Sequence, residues 1–473
     1  MKKLLKSIVA GMLFVPATVF AQDKPNILFI TVDDLRPELG AYGNETIKTP
    51  NIDQLSEHAT TFNNAFCQVP VCGASRASMH TGVRPTFTRF VDAGAKIDKD
   101  MPNAVTMGQH FKENGYYTFS AGKVIHGKTD ASKRSWSEYH PAENMFEYHN
   151  PELVADNENP TAPYKKSLPY EMVENCKDTD FLDGRTIELA KDRLKKFKKM
   201  DQPFFMAVGL ARPHLPFVAP KRFWDKYKED EIEMAKNPFL PEGIPAVAKT
   251  SYGELRAYRT VPRKGDIDAE MAKKLKHGYY ASVSFSDYLL GELIDELKKQ
   301  GLYDNTIIVL WGDHGWQLGE HTFWAKHTAF DIAIRVPFII KPHSGKNAQS
   351  GATEGFAEMV DVFPTLCDLA GLEQPEQLQG QSLVPTLMNG DVSVKEYTLS
   401  RWKQGDTVRT KGFRYTLFRN KAGKELAEMM YDLTKDPQEN KNIVNDPDYA
   451  DQVKKHRALL KTALAHYQLD HAR

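Results

Sequence analysis

A chain of 473 residues is long enough for one large domain or two ordinary ones, each with a core of its own. Its 62 basic side chains balance 62 acidic ones, which excludes an overall field that recruits nucleic acid or an acidic membrane; attraction for an anion has to be local. Four cysteines (Cys67, Cys72, Cys176 and Cys367) are too few for a disulfide scaffold, and with Cys72 set aside at most one bridge can form among the rest.

In chain order, the first element is a leader. Lys2, Lys3 and Lys6 precede the apolar run IVAGMLFV, and Val19-Phe20-Ala21 offers a small-residue cleavage site. Residues 1–21 are therefore expected to be an export signal of bacterial type, too short to span a membrane as a helix. No cysteine follows the apolar run, so no lipid anchor is expected, and no later run reaches spanning length. The mature chain is expected in the periplasm or the medium.

NILFITV, at 26–32, is nearly continuous in apolar residues, as suits a strand buried on both faces of a parallel sheet. Runs of the same kind recur at 203–211, 306–311 and 335–340, with a weaker one at 116–124. Helical patterns lie between them at 52–66, 106–114, 184–199, 269–300 and 358–370. This alternation predicts an α/β fold, with helices covering a mostly parallel sheet. Residues 127–182 and 226–265 are rich in Pro, Asn and charge without periodicity, and are expected as long surface excursions that shape a pocket. From about Asp391 the texture changes. EYTLSRW, TVRTKGFRYTLF and MMYDL alternate like antiparallel strands, and a helix follows near 449–467. The expected organisation is a catalytic domain over 22–390 and a smaller α+β subdomain over 391–473.

Open α/β sheets bind ligands at the carboxyl ends of their strands. The first predicted strand runs into Asp33-Asp34 and TIIVLWG into Asp313-His314. Either pair alone reads as loop capping or a turn. Together, each at the end of a buried strand, they suggest oxygen ligands for Ca²⁺ or Mg²⁺. In VPVCGASRASMHTG, Ser75 is a candidate helix N-cap, which would hold Cys72 just beyond the helix's positive end, a setting for a nucleophile or an anion. Arg76 adds fixed positive charge. The alternatives for Cys72 are a buried structural thiol or a bridge to Cys67.

The run Cys72-Gly73-Ala74-Ser75-Arg76 with Thr81-Gly82 resembles the signature of the type I sulfatases, whose motif cysteine is oxidised by a maturation enzyme to formylglycine, an aldehyde. NILFITVDDLRPELGAYG, HFKENGYYTFSAGKVIH, FFMAVGLARPHLPF, GYYASVSFSDYLLGEL and GDHGWQLGEHTFWAK are similar, in order, to the iduronate-2-sulfatase branch. Ala74 departs from the usual proline. The resemblance implies an alkaline-phosphatase-like sandwich and a hydrated aldehyde, with two hydroxyls on one carbon, at position 72. It implies that Asp33, Asp34, Asp313, His314 and residue 72 bind a metal, with Ca²⁺ expected. His314 stands where many relatives have Asn, a nitrogen in place of an oxygen ligand.

By the same resemblance, Lys123 orients the diol and sulfate, His126 helps expel sulfate, and His214 protonates the leaving alkoxide. Lys326 pairs with a sulfate oxygen, and Arg76 holds residue 72 in place. The implied substrate is a sulfated saccharide, with a 2-O-sulfated uronic acid first among them; Arg84, Arg212, Lys221 and Arg401 are candidate cations for its carboxylate. The alternatives are a phosphodiester or phosphonate hydrolase of the same superfamily, and a catalytically silent glycan-binding protein.

Overall fold

The computed structural model describes residues 24–161, 163–346 and 348–469; the expected export signal lies outside the described residues. The chain lays down fourteen strands: β1 (Asn26–Val32), β2 (Thr60–Phe66), β3 (Tyr117–Gly122), β4 (Glu138–Pro141), β5 (Tyr170–Val173), β6 (Phe204–Leu210), β7 (Phe217–Pro220), β8 (Thr306–Gly312), β9 (Phe338–Lys341), β10 (Gly351–Glu358), β11 (Tyr397–Trp402), β12 (Gly405–Thr410), β13 (Phe413–Arg419) and β14 (Glu425–Asp432). Eight of them form one sheet in the order β10-β2-β9-β8-β1-β6-β3-β4. All neighbours in it run parallel except at β9, which is antiparallel to both β2 and β8.

Helices cover both faces, and β1 shows why its sequence is nearly continuous in apolar residues. Leu28, Ile30 and Val32 join the core beneath the helices Ala269–Lys299 and Leu182–Phe197, whereas Ile27 and Phe29 join the core beneath Met107–Glu113 and Val362–Ala370. Successive side chains point to opposite faces, so a strand covered on both sides is apolar at nearly every position, and its two buried polar residues, Asn26 and Thr31, are both hydrogen-bonded. The 31-residue helix Ala269–Lys299 starts where the Asp268 side chain accepts from the Met271 N–H, and Thr106 caps Met107–Glu113 through Gln109 in the same way.

Two expected helices are shorter than their patterns. The stretch 52–66 divides into the helix Pro50–Ser56 and strand β2, where Thr60, Thr61 and Phe62 favour extended backbone between β9 and β10. At 358–370 the helix begins only at Val362, because Glu358 ends strand β10, an edge strand with no sequence periodicity. The run 335–340 yields strand only from Phe338, after Pro337, which has no N–H to give a ladder.

Strands β11 to β14 form a separate antiparallel sheet in sequence order, and Leu460, Ala463 and Leu464 of the helix Ala450–His466 pack on its Leu399, Val408 and Tyr415. This sheet is tied to the segment leading to Cys72: Ser400 Oγ donates to the Cys67 carbonyl at 2.5 Å and the Arg401 N–H to that of Gln68 at 2.7 Å. All four cysteines are free thiols, so the possible bridge from Cys67 to Cys72, or among the other three, does not form. No helix of the described residues is long and apolar enough to cross a membrane.

Candidate active site

Four neighbouring strands, β8-β1-β6-β3, end on the same rim of the sheet and deliver Asp313-His314, Asp33-Asp34, the RPHLP turn with His214, and Lys123 in turn. Close approach there depends on glycine. Gly122, at φ +74°, faces Gly209 in the β3–β6 register, and a Cβ on Gly209 would strike the Lys123 backbone. Asp34 has φ 60°, a left-handed conformation uncommon outside glycine that turns its carboxylate back toward β8. Its N–H donates to Asp313 Oδ1 at 3.1 Å.

Cys72 opens the helix Cys72–Thr81, all of whose residues are buried. The expected N-cap, Ser75, is instead inside the first turn, and its hydroxyl donates to the Asp313 carbonyl at 2.5 Å. The extended residue before the helix is Val71, with no side-chain cap, so the first N–H groups stay directed at the space around residue 72 itself. Cys72 Sγ lies 3.1 Å from His314 Nε2, 3.4 Å from Lys326 Nζ and 3.9 Å from Asp34 Oδ1. Burial, reinforced by the Asp33 charge, pushes the thiol well above its ordinary range.

Arg76 makes no hydrogen bond to Cys72 among the described residues, though the two groups are close enough to interact through their charges. One helical turn on, its guanidinium points under the rim. It reaches Asp313 Oδ2 at 2.9 Å, Asp33 Oδ1 at 3.3 Å, Thr31 Oγ1 at 2.8 Å and the carbonyls of Lys123 and Val124. Lys123 pairs with Asp33 through its ammonium. Lys326 bridges two carboxylates, Asp34 at 2.9 Å and Glu254 at 3.1 Å.

Asp33, Asp34, Cys72, Asp313 and His314 bring their ligand atoms within 4.8 Å of one another in two overlapping groups, one of which includes His214. Burial raises Asp34, and lifts Asp313 to about 6 with Asp33 adding to the effect. At Asp33 burial acts the same way, but Lys123 and Arg76 overcome it and hold the carboxyl well below the usual range. His314 Nδ1 faces the Gly315 carbonyl at 3.0 Å, and a carbonyl only accepts, so the ring proton sits on Nδ1. Burial keeps the ring neutral, with its pKa lowered to about 4. The Nε2 lone pair therefore points at Asp34 Oδ1 (3.4 Å) and Asp313 Oδ1 (3.6 Å), which are themselves acceptors. The Asp34 N–H and the Lys326 ammonium donate to these two oxygens, and the buried carboxylates that converge here with a neutral imidazole make an oxygen-rich set that suits a hard divalent ion.

His214 stands between the cis peptides Arg212–Pro213 and Leu215–Pro216. Its Nδ1 faces the Leu215 carbonyl at 2.6 Å and its Nε2 faces Glu254 Oε1 at 2.9 Å. Both partners accept, the arrangement of an imidazolium with two N–H groups donated. Burial alone would raise Glu254, but Lys326 and His214 hold it well below the usual carboxylate range. Glu254 escaped sequence reading because SYGELRAY belongs to the aperiodic excursion 226–265, where nothing in the spacing marks one glutamate among others. His126 is three residues beyond Lys123 with its ring exposed, and hydrogen-bonds none of these groups among the described residues. The surrounding walls and the Lys123 and Arg76 charges depress it to about 3, with Asp33 opposing.

Of the four cations considered for a substrate carboxylate, two are held in buried ion pairs, one donates to backbone carbonyls beside His214 and one pairs at the surface. Arg84 is buried in a bidentate pair with Glu358 at 2.7 and 2.5 Å. Arg401 is buried against Asp406, and the guanidinium of Arg212 donates to the Met145 and His214 carbonyls. Lys221 pairs with Asp225 at the surface.

Residues 25–372 match the family model Sulfatase, and residues 319–466 match N-sulphoglucosamine sulphohydrolase, C-terminal. Iduronate 2-sulfatase of Homo sapiens is 37% identical over 391 residues, covering 75% of this chain and 70% of the relative. A delta 4,5-hexuronate-2-O-sulfatase of Bacteroides thetaiotaomicron is 28% identical, with 95% and 91% covered. Among solved structures, a protein in complex with its substrate D-glucosamine-2-N,6-O-disulfate aligns with TM-score 0.76 at 22% identity, over 95% of this chain and 100% of the other. The phosphonate monoester hydrolase of Agrobacterium radiobacter aligns with TM-score 0.75 at 22% identity, over 94% and 96%. On the extent of the family model and the human relative's identity, the chain belongs to the sulfatase family, hydrolases of sulfate esters, with an iduronate-2-sulfatase-like relationship.

Proposed function

We propose that this protein is an exported, periplasmic or extracellular sulfatase of carbohydrate sulfates. A 2-O-sulfated uronic acid, or a related sugar of a glycosaminoglycan or algal polysaccharide, is the preferred substrate. The observation that carries the reading is the convergence of Cys72 Sγ with His314, Lys326 and Asp34 inside 4 Å, at the open N-terminus of a buried helix. Relatives named for uronate 2-sulfates support the sugar.

In this reading a formylglycine-generating maturation enzyme oxidises Cys72 to the aldehyde, which hydrates to a gem-diol. Asp33, Asp34, Asp313, His314 and residue 72 would hold one divalent ion, Ca²⁺ in preference to Mg²⁺. When bound, the ion supplies positive charge that polarises a sulfate oxygen and acidifies an adjoining hydroxyl. Lys123 and Lys326 carry ammonium groups toward the remaining sulfate oxygens, and Arg76 keeps Asp33 and Asp313 in place beneath them.

One hydroxyl of residue 72 gives its proton to Asp34, the carboxylate that faces this side chain, and attacks sulfur as the bond from sulfur to the sugar oxygen breaks; Asp34 later returns the proton to His214 by way of solvent. The imidazolium of His214, held by Glu254, gives that oxygen its proton. The second hydroxyl then loses its proton, with His126 assisting. Its oxygen re-forms the C=O bond while the carbon–oxygen bond to sulfate breaks, and water restores the diol. Sulfate therefore leaves without water attacking sulfur.

The fold is shared with a phosphonate monoester hydrolase, so the deciding experiment compares a sulfate monoester with a phosphodiester and a phosphonate monoester of the same leaving group. The reading predicts the highest kcat/KM on the sulfate. Faster phosphodiester or phosphonate turnover would assign the site to phosphoryl chemistry. Turnover of none by protein carrying formylglycine would leave a glycan-binding role.

A further inference from the structure

Among the described residues, a half-buried ammonium near the site makes no ion pair. Lys166, in the excursion before β5, places its ammonium 3.5 Å from the centroid of the Phe146 ring and 5.1 Å from that of Tyr258. Phe146 in turn meets the His214 ring edge-on with centroids 6.0 Å apart, so a single aromatic ring separates this ammonium from the group placed to protonate the leaving oxygen. Phe146 also lines a recess of about 200 Å³ that opens beside Lys123 and His126.

The position is held by backbone. The Lys166 N–H donates to the Ala257 carbonyl at 3.2 Å, and the Lys166 carbonyl accepts from the Arg259 N–H at 3.1 Å. Lys166 thus rides on the segment that delivers Glu254. Among the described residues no carboxylate or carbonyl lies within hydrogen-bond reach of its ammonium. Glu254 attracts it while Lys326 and Lys123 repel it, and burial together with those charges lowers its pKa to about 8. Aromatic faces stabilise an ammonium but do not neutralise it. A half-buried cation beside two others calls for an anion brought from outside.

Resting on the sulfatase reading above, we infer that Lys166 is a specificity-determining residue that binds a second oxyanion of the saccharide, a carboxylate or a further sulfate, beyond the scissile sulfate at Lys123 and Lys326. The aromatic faces under the ammonium set its position, and the bound oxyanion takes the charge-assisted hydrogen bond that the chain does not supply. Arg84 and Arg401, held in buried ion pairs with Glu358 and Asp406, do not fill this role.

The test measures kcat/KM for a uronic acid 2-O-sulfate and for its neutral methyl ester, and for a monosulfated sugar and its disulfated counterpart, with wild type, Lys166→Met and Lys166→Arg. The acid/ester pair reads a carboxylate and the mono/disulfate pair a second sulfate. Wild type is expected to favour the more anionic member of one pair by roughly tenfold, the scale of one charge-assisted contact. Lys166→Met should bring that ratio close to one, and Lys166→Arg should keep most of it. A wild type indifferent in both pairs overturns the inference even if Lys166→Met does not fold, as does a preference that survives intact in Lys166→Met. Wild type inactive on every sulfate ester overturns the sulfatase reading itself, a result distinct from indifference between active substrates.

Discussion

Replacing Glu254 by Gln tests whether His214 acts on the leaving group. The substitution keeps shape and removes the charge that faces His214 Nε2 at 2.9 Å and Lys326 Nζ at 3.1 Å. A hydrogen bond to a charged group is worth about 1.5–3 kcal/mol. At about 1.4 kcal/mol per decade, loss of the His214 contact costs roughly tenfold to a hundredfold in the alignment of the acid. That lies within the about 10²–10⁴-fold that general acid catalysis supplies. A sugar alkoxide needs the proton, whereas a nitrophenolate leaves without it. The assay is therefore kcat/KM of wild type and Glu254→Gln on a sugar 2-O-sulfate and on 4-nitrophenyl sulfate. The loss through Lys326 falls on both substrates, and the loss through His214 on the sugar alone. The sugar should lose about tenfold more than the aryl ester. An equal loss on both would refute the assignment of His214 as the acid.

Arg84→Met strands the buried Glu358 with Lys395 as its remaining cation at 2.8 Å, and should destabilise the protein by about 3 kcal/mol in urea unfolding, with KM of the folded protein unchanged; a raised KM at normal stability would return Arg84 to the substrate pocket. His80 is fully buried beside Phe29 and Trp136, and burial holds it down to about 3, below the ordinary 6.5. Its folded pKa is depressed, so below pH 6.5 the unfolded chain takes a proton that the folded chain refuses. Stability present above pH 6.5 therefore drains as pH falls toward 3, by about 2 kcal/mol at pH 5. His80→Gln should remove that one-proton slope, and an unchanged slope between pH 6.5 and 5 would contradict the assignment. Chelation followed by desalting should abolish sulfate-ester turnover and added Ca²⁺ should restore it; full activity after exhaustive chelation would remove the ion from the account.

The middle of the sheet was legible because β1, β6 and β8 are buried on both faces and so read as unbroken apolar runs. Strand β2 was not: TTFNNAF mixes apolar and polar positions and runs on from a helical pattern, so periodicity carried the helix through it. The residues at strand ends were legible through their motifs. The helix start at Cys72 was misplaced because Ser75 is a better cap by type than Val71, while the fold uses the serine to hold the Asp313 carbonyl instead. Charge in a sequence says nothing of its partner. Arg84 and Arg401 looked available and are buried in ion pairs, whereas Glu254, inside an aperiodic stretch, drew no notice and touches His214 and Lys326, with Lys166 against the Phe146 ring that meets His214.

The chemistry proposed for this site requires an aldehyde hydrate at position 72. Peptide mass spectrometry of natively produced protein, with a carbonyl-reactive label, measures this directly. The expected result is a Cys72 peptide that is lighter than the cysteine form and takes the label, in a fraction that rises and falls with sulfatase activity across preparations. Fully active protein whose position-72 peptide is wholly unmodified cysteine would contradict it.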